Sequence, residues 1–347
     1  MQSILTKATL FVCAFFFLSF SQFTWQKGVL PDLSGLISSP GYFGGFGWLN
    51  SVTFADGRFL AVGSYEVANF NGIGGSIYIS TMLASSDGIN WELRSVGGHD
   101  TCPVYSPSDC GLFSVTYGES LFVAVGSEQV AGNYQGAVFT VGQPDMQPSL
   151  LTEYDLQISH FRSVTFGNGQ FVAVGPGSIG VSQDGLVWST VDSSSYVFNS
   201  VCHGKALYVA VGNNGLIVTS PDAINWTKRT SGISLTPPNQ GGNLLSVAYG
   251  NNCFVAGGTG SLYSYILRST DGIVWTQSDS LSLAIFYSIG YENGMFVATG
   301  SQGEIGGTNT TGILLYSSDG VVWNRDPNRI RSAAPWNRIF SSLTFSS

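Results

Sequence analysis

The chain has 347 residues, 44% hydrophobic and 13% aromatic, ample for a packed core, which excludes general disorder. Charged residues are only 10%, against roughly 25% in an average soluble domain, and the 45 glycines follow no Gly-X-Y period, which excludes collagen. A formal net charge of −8 leaves no electrostatic footprint for nucleic acid.

The first residues read as a sorting device. Lys7 is the only charge before Lys27, and Ala8 to Phe20 is mostly apolar, with small Ser19 and Ser21 placed as a cleavage site would need. A membrane span needs about 20 apolar residues, and this run is shorter. Residues 1–21 are therefore expected to be a secretory signal, the mature protein to be secreted and extracellular, and no membrane span to remain after cleavage. Residues 22–48 read as an N-terminal extension or closing strand, and 49–347 as the folded domain. Export also governs the cysteines. Cys102 and Cys110 bracket a loop with Pro103 and Pro107 and are expected to form a local disulfide in an oxidising compartment. Cys202 and Cys253 fall inside strand patterns and read as buried free thiols. Their spacing suits no metal, and neither a metal site nor a cofactor is expected.

From residue 49 onward one unit repeats. Phe161-Arg-Ser-Val-Thr-Phe-Gly-Asn-Gly-Gln-Phe-Val-Ala-Val-Gly175 followed by Ser182-Gln-Asp-Gly-Leu-Val-Trp188 is its clearest copy. The first serine of each copy is Ser51, Ser114, Ser163, Ser200, Ser246, Ser288 and Ser342, at uneven intervals, so a constant unit carries variable loops. Within a unit, Leu49 to Phe54 alternates as a half-buried strand should, Ala55-Asp-Gly57 marks a turn, and Phe59 to Gly63 is a second strand. A third ends at Asp87-Gly88, a strong hairpin signal, and the fourth carries Trp91. No capped helical period appears after the signal. Four antiparallel strands per unit of roughly 40–45 residues predict an all-β protein, a β-propeller of six complete four-stranded blades plus a partial seventh.

The second half of the unit resembles the Asp-box hairpin, Ser-x-Asp-x-Gly-x-x-Trp, of the sialidase-like propeller superfamily. It stands here as Ser85–Trp91, Ser182–Trp188, Ser220–Trp226, Ser269–Trp275 and Ser317–Trp323. Each is one residue shorter than that box, Ala223 replaces glycine in the fourth unit, and the second unit keeps only Gln143-Pro144-Asp145. The resemblance implies the propeller fold and raises glycosidase chemistry as an alternative.

The candidate chemistry is thin. Asp87, Asp184, Asp222, Asp271 and Asp319 recur once per unit at one radius and cannot converge, so they are read as turn residues. Gly175-Pro-Gly-Ser-Ile-Gly180 matches a dinucleotide fingerprint but precedes a strand rather than the required helix. His99, His160 and His203 share no triad spacing; His203 stands where other units carry Phe or Tyr. Sialidase chemistry needs arginines from separate blades, whereas Arg325, Arg329, Arg331 and Arg338 fall in one connection. No catalytic residue is assigned, and the protein is not expected to be an enzyme.

Loop length points to one face. The turns joining strands one to two and three to four are tight, while insertions lie between strands two and three (64–76, 128–136, 301–312) and between units. Variable loops on a rigid scaffold are where binding concentrates. Tyr65, Asn69, Phe70, Tyr105, Asp109, Tyr134 and Gln135 are the expected contacts for a protein or glycan ligand. Asn225 and Asn309 head glycosylation sequons.

Phe340-Ser-Ser-Leu-Thr-Phe345 starts a seventh unit, and Gln22 to Lys27 resembles a Trp-bearing fourth strand. Three accounts stay open at this level: six blades with both ends packed outside, a truncated sequence, or a gap filled by another molecule. The last would give head-to-tail self-association into oligomers or filaments, because an open strand edge recruits other strands. The expectation is a secreted, non-enzymatic binding or structural module, with a carbohydrate-active enzyme as the rival.

Overall fold

The computed structural model describes residues 15–19, 22–26, 42–43, 47–69, 75–96, 111–130, 133–142, 148–151, 160–233, 242–260, 263–303 and 310–325. All described sheet pairings are antiparallel, and among the described residues the one helical turn is a short 3-10 segment at Asn213–Gly215. No helix among them is long and apolar enough to cross a membrane.

The repeat units map onto the sheets in order. The first supplies Gly47–Ala55, Arg58–Asn69, Gly75–Ser85 and Glu92–Val96, with Tyr42–Phe43 added on. The second supplies Gly111–Gly118, Leu121–Val130, Asn133–Gly142 and Pro148–Leu151. The fifth (Asn243–Gly250, Cys253–Thr259, Tyr263–Ser269, Thr276–Ser282) and the sixth (Ala284–Glu292, Met295–Gly303, Thr310–Ser317, Asn324–Arg325) are also four-stranded. Units three and four share one six-stranded sheet. There Gln170–Ser182 runs through strands two and three without a loop, shifting register at Pro176. Ser189–Gly204 likewise runs from the fourth strand of one unit into the first strand of the next.

Strand periodicity explains the cores. In the second strand of unit two, Phe122 and Ala124 face a cluster with Leu60, Val62 and Met82 of unit one. Val123 and Val125, alternating with them, face Phe161, Phe171 and Trp188 of unit three. A strand whose two faces both pack must be apolar throughout, which is why each unit carries a Phe-Val-Ala-Val-type run. The same sharing links units three and four around Val172, Phe198 and Tyr208, and five and six around Val255, Phe286 and Phe296.

Units also meet along their first strands, each packing on the next, so these strands lie innermost. An inner strand has one edge with no ladder partner, and its N–H groups would be left unpaired. The repeated serine meets that need. Ser51 Oγ accepts from Val115 N–H at 3.2 Å, Ser114 from Val164 at 3.1 Å and Ser163 from Val201 at 3.2 Å. Ser200 accepts from Val247 at 3.2 Å, and Ser246 from Ile289 at 2.9 Å. Sheets stacked face to face about their inner strands in this way make a β-propeller.

One expectation changes. The stretches after Ser64, Glu128 and Ser301 are not loops but continuations of the strands. Tyr65 pairs with Ile79 and Asn69 with Gly75; Tyr134 pairs with Gln129 and Gln135 with Glu128; Gly303 pairs with Thr310. Alternating segments such as Tyr65-Glu-Val-Ala-Asn69 and Ser76-Ile-Tyr-Ile79 extend a hairpin readily, and an inserted pair adds two ladder positions instead of a loop. Gln22–Gln26 pairs with Phe15–Ser19, inside the segment read as a signal, in a separate two-stranded sheet. The seventh-unit motif at 340–345 lies outside the described residues.

Candidate functional site

The Ser-x-Asp-Gly turns are the most regular part of the molecule. In the third unit, Asp184 Oδ1 accepts from Leu186 N–H at 2.8 Å and Val187 N–H at 2.9 Å. Ser182 Oγ accepts from Gly185 N–H at 2.9 Å, and Trp188 Nε1 donates to Gly185 O at 3.0 Å. Asp87, Asp222, Asp271 and Asp319 each accept the same pair of turn N–H bonds. These bonds, the one two residues before Trp or directly before it foremost, hold the carboxyls below the ordinary value of 3.8. The aspartates are occupied in building the turns.

A different set of side chains varies where the rest repeats. The pairing of first and second strands shifts register immediately before the repeated serine in units one, two, four, five and six. Such a bulge leaves one residue out of the ladder and re-aims its side chain. The residues at that position are Asn50, Phe113, Arg162, Asn199, Leu245 and Tyr287, all half-buried. Two of them meet across units: Arg162 Nη1 donates to Asn199 Oδ1 at 2.7 Å. Asn50 Nδ2 donates to Leu112 O at 2.8 Å, and Asn199 Nδ2 to Leu244 O at 2.9 Å, each on the next unit. Tyr287 reaches outward, with its hydroxyl 3.0 Å from Ser301 Oγ at the base of the sixth unit's hairpin.

These residues lie at the end of the inner strands from which the long hairpins rise. The hairpins of units one, two and six stand tall, while units three and four have none. Asn213, in the short connection of unit four, ties to Asn199 at 3.0 Å instead. The tall hairpins of units one and two thus give way to a low stretch at units three and four, where Arg162 and Asn199 sit. The six positions offer a guanidinium, amides, a phenol and apolar side chains, and the walling hairpins add Glu66 and Glu128.

Of the residues expected from the sequence to bind, Tyr65, Asn69, Tyr134 and Gln135 lie in the hairpin strands that wall this mouth. Phe70, Tyr105 and Asp109 lie outside the described residues, as do Cys102, Cys110, Asn309, His99, Arg329, Arg331 and Arg338. Asn225 is exposed on an Asp turn, with Nδ2 donating to Asp222 Oδ2 at 2.8 Å. His203 packs against the Tyr208 ring, its Nε2 buried without a hydrogen bond, and burial lowers its pKa, so the imidazole is neutral. Cys202 and Cys253 are free thiols, and burial raises both pKa values. Arg325 donates to Gln302 Oε1 at 2.5 Å. Sequence reading missed the mouth because it searched for what repeats. The available signal was the opposite one, a position that changes chemistry between two that hold.

No protein-family profile and no curated protein sequence matches the chain. Among solved structures, the extracellular domain of a hybrid two-component system from B. thetaiotaomicron is similar with a TM-score of 0.50 at 11% identity. That match covers 88% of this chain and 36% of that one, so the chain spans about a third of its length. The WD40 β-propeller domain of Doa1 has a TM-score of 0.46 at 11% identity, covering 83% of this chain and 94% of that one. Trypanosoma rangeli sialidase has 0.45 at 10% identity, covering 86% and 56%. At such identities the likeness is one of fold.

Proposed function

We propose that this propeller is an extracellular, non-catalytic binding module that holds a protein or glycan segment at the hairpin-walled mouth. The observation that carries this reading is the set Asn50, Phe113, Arg162, Asn199, Leu245 and Tyr287. One repeat position takes chemically different side chains while the serine beside it is held by the fold. A scaffold requirement would have repeated the residue; a ligand that is not symmetric about the axis requires variety. Glycoside cleavage needs two carboxyl groups roughly 5–10 Å apart, and none of the six positions supplies one. The reading takes the propeller to have six blades, counting the six-stranded sheet of units three and four as two joined by shared strands.

The test is retention of the mature chain on peptide and glycan arrays beside an Arg162→Ala/Tyr287→Ala variant. The wild type should hold a restricted set of ligands, and the variant should lose them by at least tenfold with its melting temperature kept. Equal retention by both would move the site elsewhere, and turnover of an arrayed glycoside would overturn the non-catalytic reading.

A further inference from the structure

The opposite face carries a feature that ligand binding at the mouth does not use. Eight large hydrophobic residues are exposed among the described residues, and seven lie on the Asp turns, between the glycine or Ala223 and the tryptophan. They are Leu186 and Val187, Ile273 and Val274, Val321 and Val322, with Ile224 in the fourth unit. Val187, Val274 and Val322 are 67%, 65% and 64% exposed. Solvation alone gives no reason for one turn position to be aliphatic in unit after unit.

We propose that these turns form a row of aliphatic tips along units three to six that seats the protein on a zwitterionic lipid surface. Each turn is built by the same hydrogen bonds and docked on the unit before it. Asp222 O accepts from Gln170 Nε2, Thr270 O from Lys205 Nζ and Ser318 O from Asn251 Nδ2. Turns of one build on successive units repeat the apolar tip along an extended surface. The backbone donors of each tip are already paired to the turn aspartate, so entering an apolar phase strands no N–H. The exposed tips of units three, five and six hold Leu, Ile and Val, the fourth pairs Ile224 with Asn225, and none carries the Trp, Tyr or Arg that anchor protein interfaces. Charge selects among lipids. Asp184 and Asp271 are exposed beside the tips and Asp319 half so, and their hydrogen bonds favour the ionised form, a negative charge that repels anionic headgroups and complements the outer ammonium of phosphatidylcholine.

The full chain should float with phosphatidylcholine vesicles in a density gradient. The variant Val187→Ser/Val274→Ser/Val322→Ser, altered at exposed tips alone, should bind at least tenfold less with an unchanged melting curve. Replacing a fifth of the lipid with phosphatidylserine should weaken wild-type binding. No flotation of the wild type, or equal flotation of the variant, overturns the proposal; stronger binding to the anionic vesicles overturns the choice of lipid. Light scattering adds one more outcome: a wild-type dimer that the variant abolishes would make a second copy the occupant and refute the lipid assignment.

Discussion

On the turn face, Ser182, Asp184 and Trp188 recur in successive units with nearly the same hydrogen bonds, whereas on the mouth side Asn50, Phe113, Arg162, Asn199, Leu245 and Tyr287 share a position and little else. Both sets belong to the same units, a few residues apart in pattern. The difference lies in what each must satisfy. A turn residue answers to its own blade and the blade before it, and that environment repeats in units four, five and six. A mouth residue has its backbone freed by a bulge and its side chain half in solvent, so the scaffold places few demands on it. Constancy here marks construction, and variety marks the surface free to be chosen for contact.

The comparison breaks most easily at the tryptophan. Trp188 is buried between units two and three, against Val123, Val125 and Phe171. Trp188→Ala should cost about 3–5 kcal/mol, transfer and cavity terms together. Chemical denaturation measures it, and a loss under about 1 kcal/mol would show that the turn strand is an ornament on the core. Next come the contacts that pass from unit to unit. Ser246→Ala leaves the Ile289 N–H buried and unpaired and should cost about 1–3 kcal/mol, with faster hydrogen exchange at Ile289. Gly272→Ala should cost about as much, because a methyl there would stand 2.6 Å from Leu207 Cδ2 at a φ of +74°.

Acid should act on the turn face and on His203. The five turn aspartates have folded pKa values below the unfolded value of 3.8, so in acid the unfolded chain binds protons first. Their contribution is full above that value and is lost as pH falls through the folded ones. A first decline in melting temperature should begin about one unit above the ordinary His203 value of 6.5. The aspartates should add a second one below about pH 5, since protonation of the unfolded chain begins about one unit above each pKa. Asp184→Asn should flatten the second decline slightly. A melting temperature that rises on acidification would contradict the hydrogen bonds assigned to these carboxylates.

Much of this was legible in the sequence, for a physical reason. Strand periodicity is local, so Leu49 to Phe54 and the Asp-Gly turns announce themselves in any one unit, and repetition turns a local pattern into an architecture. The tight turns also shared a face as the strand count required, with Gln170 and Asn251 reaching the turns of the following units. Pairing beyond the unit was hidden. Tyr65-Glu-Val-Ala-Asn69 reads as a loop until Asn69 is seen opposite Gly75, because register is a relation between two segments and neither carries it alone. The Arg162–Asn199 bond joins residues of different units and had no local sign at all.

The smallest effect tests the turn rule against its own exception. Ala223 occupies the place held by Gly185, Gly272 and Gly320 in neighbouring units, and it keeps their left-handed backbone at a φ of +62°. For a residue with a Cβ that conformation costs about 1–2 kcal/mol. Two terms oppose its relief in Ala223→Gly. The fully buried methyl packs with Val172 and Tyr208, and removing it forfeits about 0.8 kcal/mol of burial. Glycine also gives the unfolded chain more freedom, worth about 0.4–1 kcal/mol. These nearly cancel, so the substitution should shift stability by less than about 1 kcal/mol in either direction. A loss above about 2 kcal/mol would mean that the fourth unit packs around its methyl and has departed from the common turn. A near-zero result, set beside a costly Gly272→Ala, would show that the turn requires the backbone shape and that room for a side chain is decided by the blade before it.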